Sequence, residues 1–224
     1  MLFHAKSILA GACTILALGA SAVAATVPFT EDFVADAAGW RDASLVSELD
    51  WFASGGPDAG SFASGQFNFV ALEPNSTPAV IRAQDEFNAS GGAFLGDWLS
   101  DGVTEVSFQI RHNGSGPMTF FTRFSGPANF PGAVALEFAP VPANQWTQIT
   151  VAIDPNNPAI ILEGFPFDAV FGNIGHVQIG VAAGAMAGVD QDVRFDIDKV
   201  SFIPEPASLV LLTLGAFVIR RVRR

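Results

Sequence analysis

The chain has 224 residues, enough for one domain with a sizeable core once its two termini are set apart. Half of the residues are hydrophobic, with 21 phenylalanines, no tyrosine and one cysteine. Between Thr26 and Ile203 six bases face 21 acids, a formal charge of −15, and a surface of that sign repels phosphate backbones and excludes nucleic acid as a partner.

The first element is a leader. "MLFHAK", with Lys6, precedes an apolar run from Ser7 to Leu18 and the small-residue stretch "GASAVAA". This is the layout of a secretory signal peptide, residues 1–25, cut by signal peptidase after Ala24 or Ala25; a first membrane helix would need a longer run. Cys13 lies inside the leader, and Ala10 three positions earlier does not suit a lipoprotein signal. The mature chain therefore has neither a disulfide framework nor thiolate chemistry, and its stability falls to the apolar core and any bound ion. Its acidity suits divalent cations, neutral sugars or a basic surface as partners, and equally suits plain solubility.

Residues 26–203 read as one all-β domain, an antiparallel β-sandwich or jelly roll. Early strand candidates are "PFTEDFV" near residue 30 and "GQFNFVAL" near residue 68, and the intervening "ASGGPDAGSFASG" at 53–65 reads as a loop. "VTEVSFQIR" alternates Val106, Phe108 and Ile110 against Glu105, Ser107, Gln109 and Arg111, the period of a half-buried strand. The same period groups Met118, Phe120, Thr122 and Phe124; then Val134, Leu136 and Phe138; then Ile149, Val151 and Ile153; then Val177, Ile179 and Val181. Turn residues separate these runs at 112–117, 125–132 and 154–158, and "PFDAVFGN" predicts a short helical turn. In "VRFDIDKVSFI" Val193, Phe195 and Ile197 are out of phase with Val200 and Phe202, which predicts a β-bulge near Asp198 and Lys199.

Chemistry-bearing motifs are sparse. His112 and His176 lack metal-ligand spacing, and no nucleophile elbow, phosphate-binding loop or EF-hand loop occurs. Catalytic residues are therefore expected to be none, although abundant carboxylates leave a secreted glycoside hydrolase as a distant alternative. Asp196 and Asp198, two apart on one strand face, fit an ion better than a reaction. Of the tryptophans, Trp40 and Trp146 look like core or edge packing, whereas Trp51 and Trp98 sit beside loops and acids and are the better platforms for a sugar ring.

"FTEDFVADAAGW", "VSFQIR", "WTQITVAI" and "FDIDKVSF" together resemble secreted carbohydrate-binding jelly rolls of the galactose-binding-like type. The resemblance covers about 170 residues as a strand pattern, without a specific motif. It implies a lectin-like module, and a structural calcium ion shared by a first-strand acid, Glu31 or Asp32, and the last-strand Asp198.

The tail "PEPASLVLLTLGAFVIRRVRR" joins Pro204, Glu205 and Pro206 to a 13-residue apolar run, Ala207 to Ile219, and to Arg220, Arg221, Arg223 and Arg224. The run is shorter than the roughly 20 residues of a comfortable span, and the arginines are a cytoplasmic stop that leaves the folded domain outside. With the signal peptide, this tail closely resembles the PEP-CTERM sorting signal of bacterial envelope and exopolysaccharide-associated proteins. That resemblance implies a sorting signal over 204–224 in which a short transmembrane helix lies between the triplet and the arginines, recognition by an exosortase, and cleavage near the triplet. The chain is thus expected to be an exported envelope or matrix protein associated with exopolysaccharide or biofilm, or alternatively a carbohydrate-binding module.

Overall fold

The computed structural model describes residues 24–136 and 139–204. The first 23 residues of the expected leader, Phe138, and the tail from Glu205 through its arginines lie outside them. Twelve strands are found among the described residues: β1 (Phe29–Glu31), β2 (Arg41–Asp42), β3 (Asp50–Phe52), β4 (Phe62–Asn68), β5 (Ala79–Gln84), β6 (Val103–His112), β7 (Phe120–Ser125), β8 (Gly132–Ala135), β9 (Thr147–Ala152), β10 (Ile160–Leu162), β11 (His176–Val181) and β12 (Asp192–Pro204). One short helix, α1 (Phe167–Phe171), falls where "PFDAVFGN" predicts a helical turn.

All pairings are antiparallel and build two sheets. The first runs β3-β4-β12-β6-β9, and β1 also pairs with β12; the second runs β10-β8-β7-β11-β5-β2. The inward residues of the alternating strands meet in one core. Val106, Phe108 and Ile110 of β6 are buried with Ile149 and Val151 of β9, and they pack with Phe120 and Phe124 of β7 and Val177, Ile179 and Val181 of β11. Each such side chain, once buried, contributes about 1.5–3 kcal/mol of hydrophobic transfer energy. Phenylalanine fills this space without a hydroxyl to satisfy, which accounts for the bias against tyrosine.

The predicted bulge is present. The β12–β6 register shifts between Asp198 and Ser201, and Lys199 takes a positive φ of 51°. It also marks a change of partner: β12 pairs with β4 over Asp192–Ile197 and with β1 over Val200–Phe202. Its last residue is Pro204, so the strand runs one residue into the Pro-Glu-Pro triplet.

Three local expectations are corrected. Phe62 to Gly65, expected in a loop, belong to β4, because Phe62 stacks on Phe52 of β3 and Ala63 and Ser64 are buried. In β8 the core residues are Ala133 and Ala135, while Val134 is only half-buried and Leu136 is exposed. Small side chains suit that strand, since Ala133 and Ala135 lie opposite Phe124 and Thr122. Strands β2, β3, β5 and β10 have no counterpart among the expected elements; three of them have two or three residues, too few for a period to show.

Candidate functional site

The segments that carry the carboxylates expected to hold calcium adjoin at the β12 bulge. Glu31 stands opposite Val200, so the end of β1 reaches the turn that carries Asp198. Asp198 is 3% exposed, and its Oδ1 accepts the Lys199 N–H at 2.8 Å. The Lys199 ammonium does not compensate it, being paired with Asp58. Burial first, then the fields of Asp32 and Glu31, push the Asp198 carboxyl up to about 6 against its backbone hydrogen bond. Gly56 leaves an oxygen-lined space beside it: a methyl added there would lie 2.7 Å from the Ser61 carbonyl oxygen, 3.0 Å from that of Gly60 and 3.1 Å from Asp198 Oδ2. Carboxylates and carbonyls with no cation among them are the donor set a hard ion requires. The oxygens of Glu31, Asp32 and Asp198 nevertheless stay more loosely spaced than one compact trio elsewhere: Asp85, Glu86 and His176, whose ligand atoms lie within 4.8 Å of one another.

In that trio His176 Nε2 lies 3.1 Å from Asp85 Oδ1 and 2.9 Å from Glu86 Oε2. Burial and the adjoining Glu86 raise the Asp85 pKa; Glu86 is lowered, against burial, by the hydrogen bond from Asp85 and by His176. His176 Nδ1 is buried without a partner. A metal on Nε2 would require Nδ1 to carry a proton and would leave that donor orphaned, whereas an Nε2–H shared between the two carboxylates leaves only a weak acceptor unmet. The trio therefore fits a hydrogen-bonded cluster better than a metal centre. Its paired carboxyls are also closer than the roughly 5–9.5 Å of glycosidase acids.

Asp196 and Asp198 share a strand face, as expected, but do not share a role. Asp196 is buried and held by Arg111 Nε at 2.7 Å, Arg194 at 3.0 Å and the Ser64 hydroxyl at 2.7 Å. The Arg111 guanidinium is stacked at 4.5 Å from the Trp146 ring, whose N–H donates to the Gly55 carbonyl at 3.1 Å. Around Arg111 and Asp196 the outer face of the first sheet is thus closed by its own side chains and by the loop through Gly55 and Gly56.

The tryptophan expectation fails at Trp98, which is 0% exposed and wedged against Phe124, Phe171 and Phe202, with its N–H donated to the Phe94 carbonyl at 2.6 Å. Its neighbouring acids are real, but the backbone between them turns the ring inward. Trp51 is 39% exposed on the edge strand β3, opposite the buried Ala63, and spends its N–H on the Phe33 carbonyl at 2.6 Å. The two rings do not form one platform.

A second polar row lies on the outer face of the second sheet, where Arg41, Arg82 and Arg123 are half-buried and Gln178 is 5% exposed. Register places Arg41 of β2 opposite Arg82 of β5, Arg82 opposite Gln178 of β11, Gln178 opposite Arg123 of β7, and Arg123 opposite Val134 of β8. With strands about 4.8 Å apart, Arg82 is about 5 Å from Arg41 and about 10 Å from Arg123 at the backbone. Arg123 is held by a two-point ion pair to Glu163, at 2.6 and 2.7 Å, and by Asn129, and its guanidinium lies 5.6 Å from the Phe130 ring. Phe130 and Phe165, 54% and 44% exposed, adjoin each other at that end of the row. Gln178 donates to Asn129 at 3.1 Å. Burial and then Arg123 lower the Arg82 pKa, while Asp42 raises it.

None of these residues is singled out by sequence reasoning. The available signal is "AVIRAQ", an alternation in which Arg82 and Gln84 share one face and Ile81 and Ala83 the other.

No protein-family model matches the chain, and no curated protein matches it. Among solved structures it is similar to an exo-β-agarase, with a TM-score of 0.50 and 11% identity over 79% of this chain and 25% of that one. It is similar also to the CBM22-1 and GH10 modules of xylanase 10B from Clostridium thermocellum, in complex with xylohexaose, with a TM-score of 0.48 and 18% identity over 81% of this chain and 29% of that one. The family 11 carbohydrate-binding module of Clostridium thermocellum, in complex with a mixed-linked tetrasaccharide, gives a TM-score of 0.46 and 13% identity over 81% of this chain and 98% of that one. The chain spans between 25% and 29% of the length of the first two. At such identities the likeness is one of strand arrangement: a two-sheet antiparallel sandwich.

Proposed function

We propose that the domain is a non-catalytic saccharide-binding domain exposed outside the cell, with the outer face of its second sheet as the binding surface. The observation that carries this reading is the row Arg41, Arg82, Gln178 and Arg123, in register across four strands and ending at the exposed rings of Phe130 and Phe165. Saccharides bind where hydrogen-bonding groups flank aromatic faces on which the C–H faces of the sugar can pack. The strand arrangement shared with the exo-β-agarase agrees with this and does not carry it alone. Affinity electrophoresis of the purified protein through gels containing soluble polysaccharides is the test. Retardation by at least one polymer, reduced by Phe130→Ala and Gln178→Ala, is the expected result; free migration in every gel would overturn the reading.

The terminal sequences supply the rest of the proposal. The chain is exported by its signal peptide, sorted through the Pro204–Glu205–Pro206 tail by an exosortase-type enzyme, and associated with exopolysaccharide at the cell envelope. The Ala25 nitrogen lies 2.6 Å from Asp101 Oδ2, where the ammonium left by cleavage after Ala24 would meet a carboxylate. Mass spectrometry of the mature protein from its host tests both ends. A chain starting at Ala25 and lacking Arg224 is expected; one retaining Arg224 would refute tail processing. Calcium at Asp198, with Glu31 and Asp32, is proposed as a structural ion that neutralises the acids of the bulge.

A further inference from the structure

Six basic side chains lie between Thr26 and Ile203. Five have a carboxylate partner: Arg41 with Glu48, Arg111 and Arg194 with Asp196, Arg123 with Glu163, and Lys199 with Asp58. Arg82 has none among the described residues. It makes no ion pair or hydrogen bond, stacks on no ring, and its Nε is buried without a partner. In a domain with 21 acids, this guanidinium makes no ion pair of its own among the described residues, is half-buried, and has only the more distant Asp42 to offset its charge.

Its neighbours sharpen the imbalance. Arg41 is directly opposite and Arg123 two strands along, an arrangement that costs stability between like charges. The carboxylates that neutralise those two arginines belong to Glu48 and Glu163, and neither contacts Arg82. Leaving Arg82 Nε dry and unpaired costs about 1–3 kcal/mol. A planar or tetrahedral anion with two adjacent oxygens can take the guanidinium as a fork through its two Nη groups, which are neither buried without a partner nor bonded within the chain.

On the reading of this face as saccharide-binding, we infer that Arg82 is its anion-binding centre and that the preferred saccharide carries a negative group, a uronate carboxylate or a sulfate ester. The remaining acidic surface acts as a filter. It repels polyanions in general, so a charged polymer is held only where its charge enters this row and its sugar rings reach Phe130 and Phe165.

The experiment is affinity electrophoresis and calorimetry on the purified full chain in non-ionic detergent. The probes are alginate, carboxyl-reduced alginate, a sulfated galactan, its desulfated form and a neutral β-glucan. Binding to alginate or to the sulfated galactan is expected to exceed binding to its neutralised form by about tenfold or more, or ~1.4 kcal/mol. Whichever of the two shows the difference identifies the anion. Arg82→Gln should abolish that difference, so that each charged polymer binds no better than its neutralised form, and Arg82→Lys should restore only a small part of it. Equal binding of the wild type to charged and neutralised polymers would overturn the anion inference and leave the saccharide reading standing; this comparison needs no variant to fold. Binding to no polymer at all would overturn both.

Discussion

Replacing Asp198 by Asn tests whether the β12 bulge is an acid cluster waiting for a cation. Asparagine keeps the acceptor for the Lys199 N–H at 2.8 Å and removes a buried charge beside Glu31 and Asp32. Because the folded-state pKa is raised from 3.8 to about 6, the native protein binds this proton more tightly than the unfolded chain does. Stability therefore falls as pH rises from about 4 to about 6, and the loss is complete above that window. The interval between the two values corresponds to about 3 kcal/mol, an order-of-magnitude figure. In EDTA, Asp198→Asn should match the wild type near pH 4 and exceed it by up to about 3 kcal/mol at pH 7. Calcium should close this gap, since an ion at about 100 times its dissociation constant adds about 2.7 kcal/mol to the wild type and little to the variant. Urea denaturation followed by tryptophan fluorescence reads both effects. A gap between the two proteins that stays constant from pH 4 to pH 7 would refute the electrostatic reasoning, and a wild-type midpoint unmoved by EDTA and calcium would refute the ion.

Asp196→Ala removes the shared partner of Arg111 and Arg194 and should cost about 3–5 kcal/mol, read as a lower urea midpoint at unchanged slope. Trp98→Ala should cost a comparable ~3–5 kcal/mol by opening a cavity among Phe124, Phe171 and Phe202; it should leave saccharide affinity intact wherever the protein remains folded, which separates a core ring from a binding ring. Gly180→Val sets a side chain where Phe121 lies over β11, and overpacking of about 1–3 kcal/mol should appear as a lower thermal midpoint.

The sandwich was legible because its central strands are long enough to display a period. Ten residues of β6 and thirteen of β12 declare an inward face, and in β12 even the phase slip at Asp198 and Lys199 could be read and placed. Legibility failed where packing, not polarity, chose the face. Val134 points out and two alanines point in, because the space opposite Phe124 and Thr122 is narrow. It failed also for Trp98, since the number of acids near a ring in sequence says nothing about which way the backbone turns it. The Arg41–Arg82–Gln178–Arg123 row could not be read at all: its members are up to 137 positions apart, between Arg41 and Gln178, and only strand order makes them neighbours.

That strand order also divides the work between the two faces. On the first sheet, β12 lies between β4 and β6, so Arg194 and Asp196 of the last strand meet Arg111 of β6 and Ser64 of β4. Two guanidiniums from distant parts of the chain share one buried carboxylate there, and Trp146 closes the cluster. On the second sheet, β5 lies between β2 and β11, and its neighbours present Arg41 and Gln178 to Arg82. No acid stands opposite Arg82 at that register; Asp42, one position along β2, offsets its charge without pairing with it, which leaves the guanidinium able to take a ligand from outside the chain. Exchanging one residue in each row exposes the difference: Arg82→Gln should leave thermal stability unchanged or raise it by up to about 1–3 kcal/mol, because it removes an unpaired buried N–H among like charges, whereas Arg111→Gln should unbalance a buried carboxylate and cost about 3 kcal/mol or more. Equal losses from the two variants would mean that Arg82 has a structural partner within the fold, and the second face would then lose its claim to an external ligand.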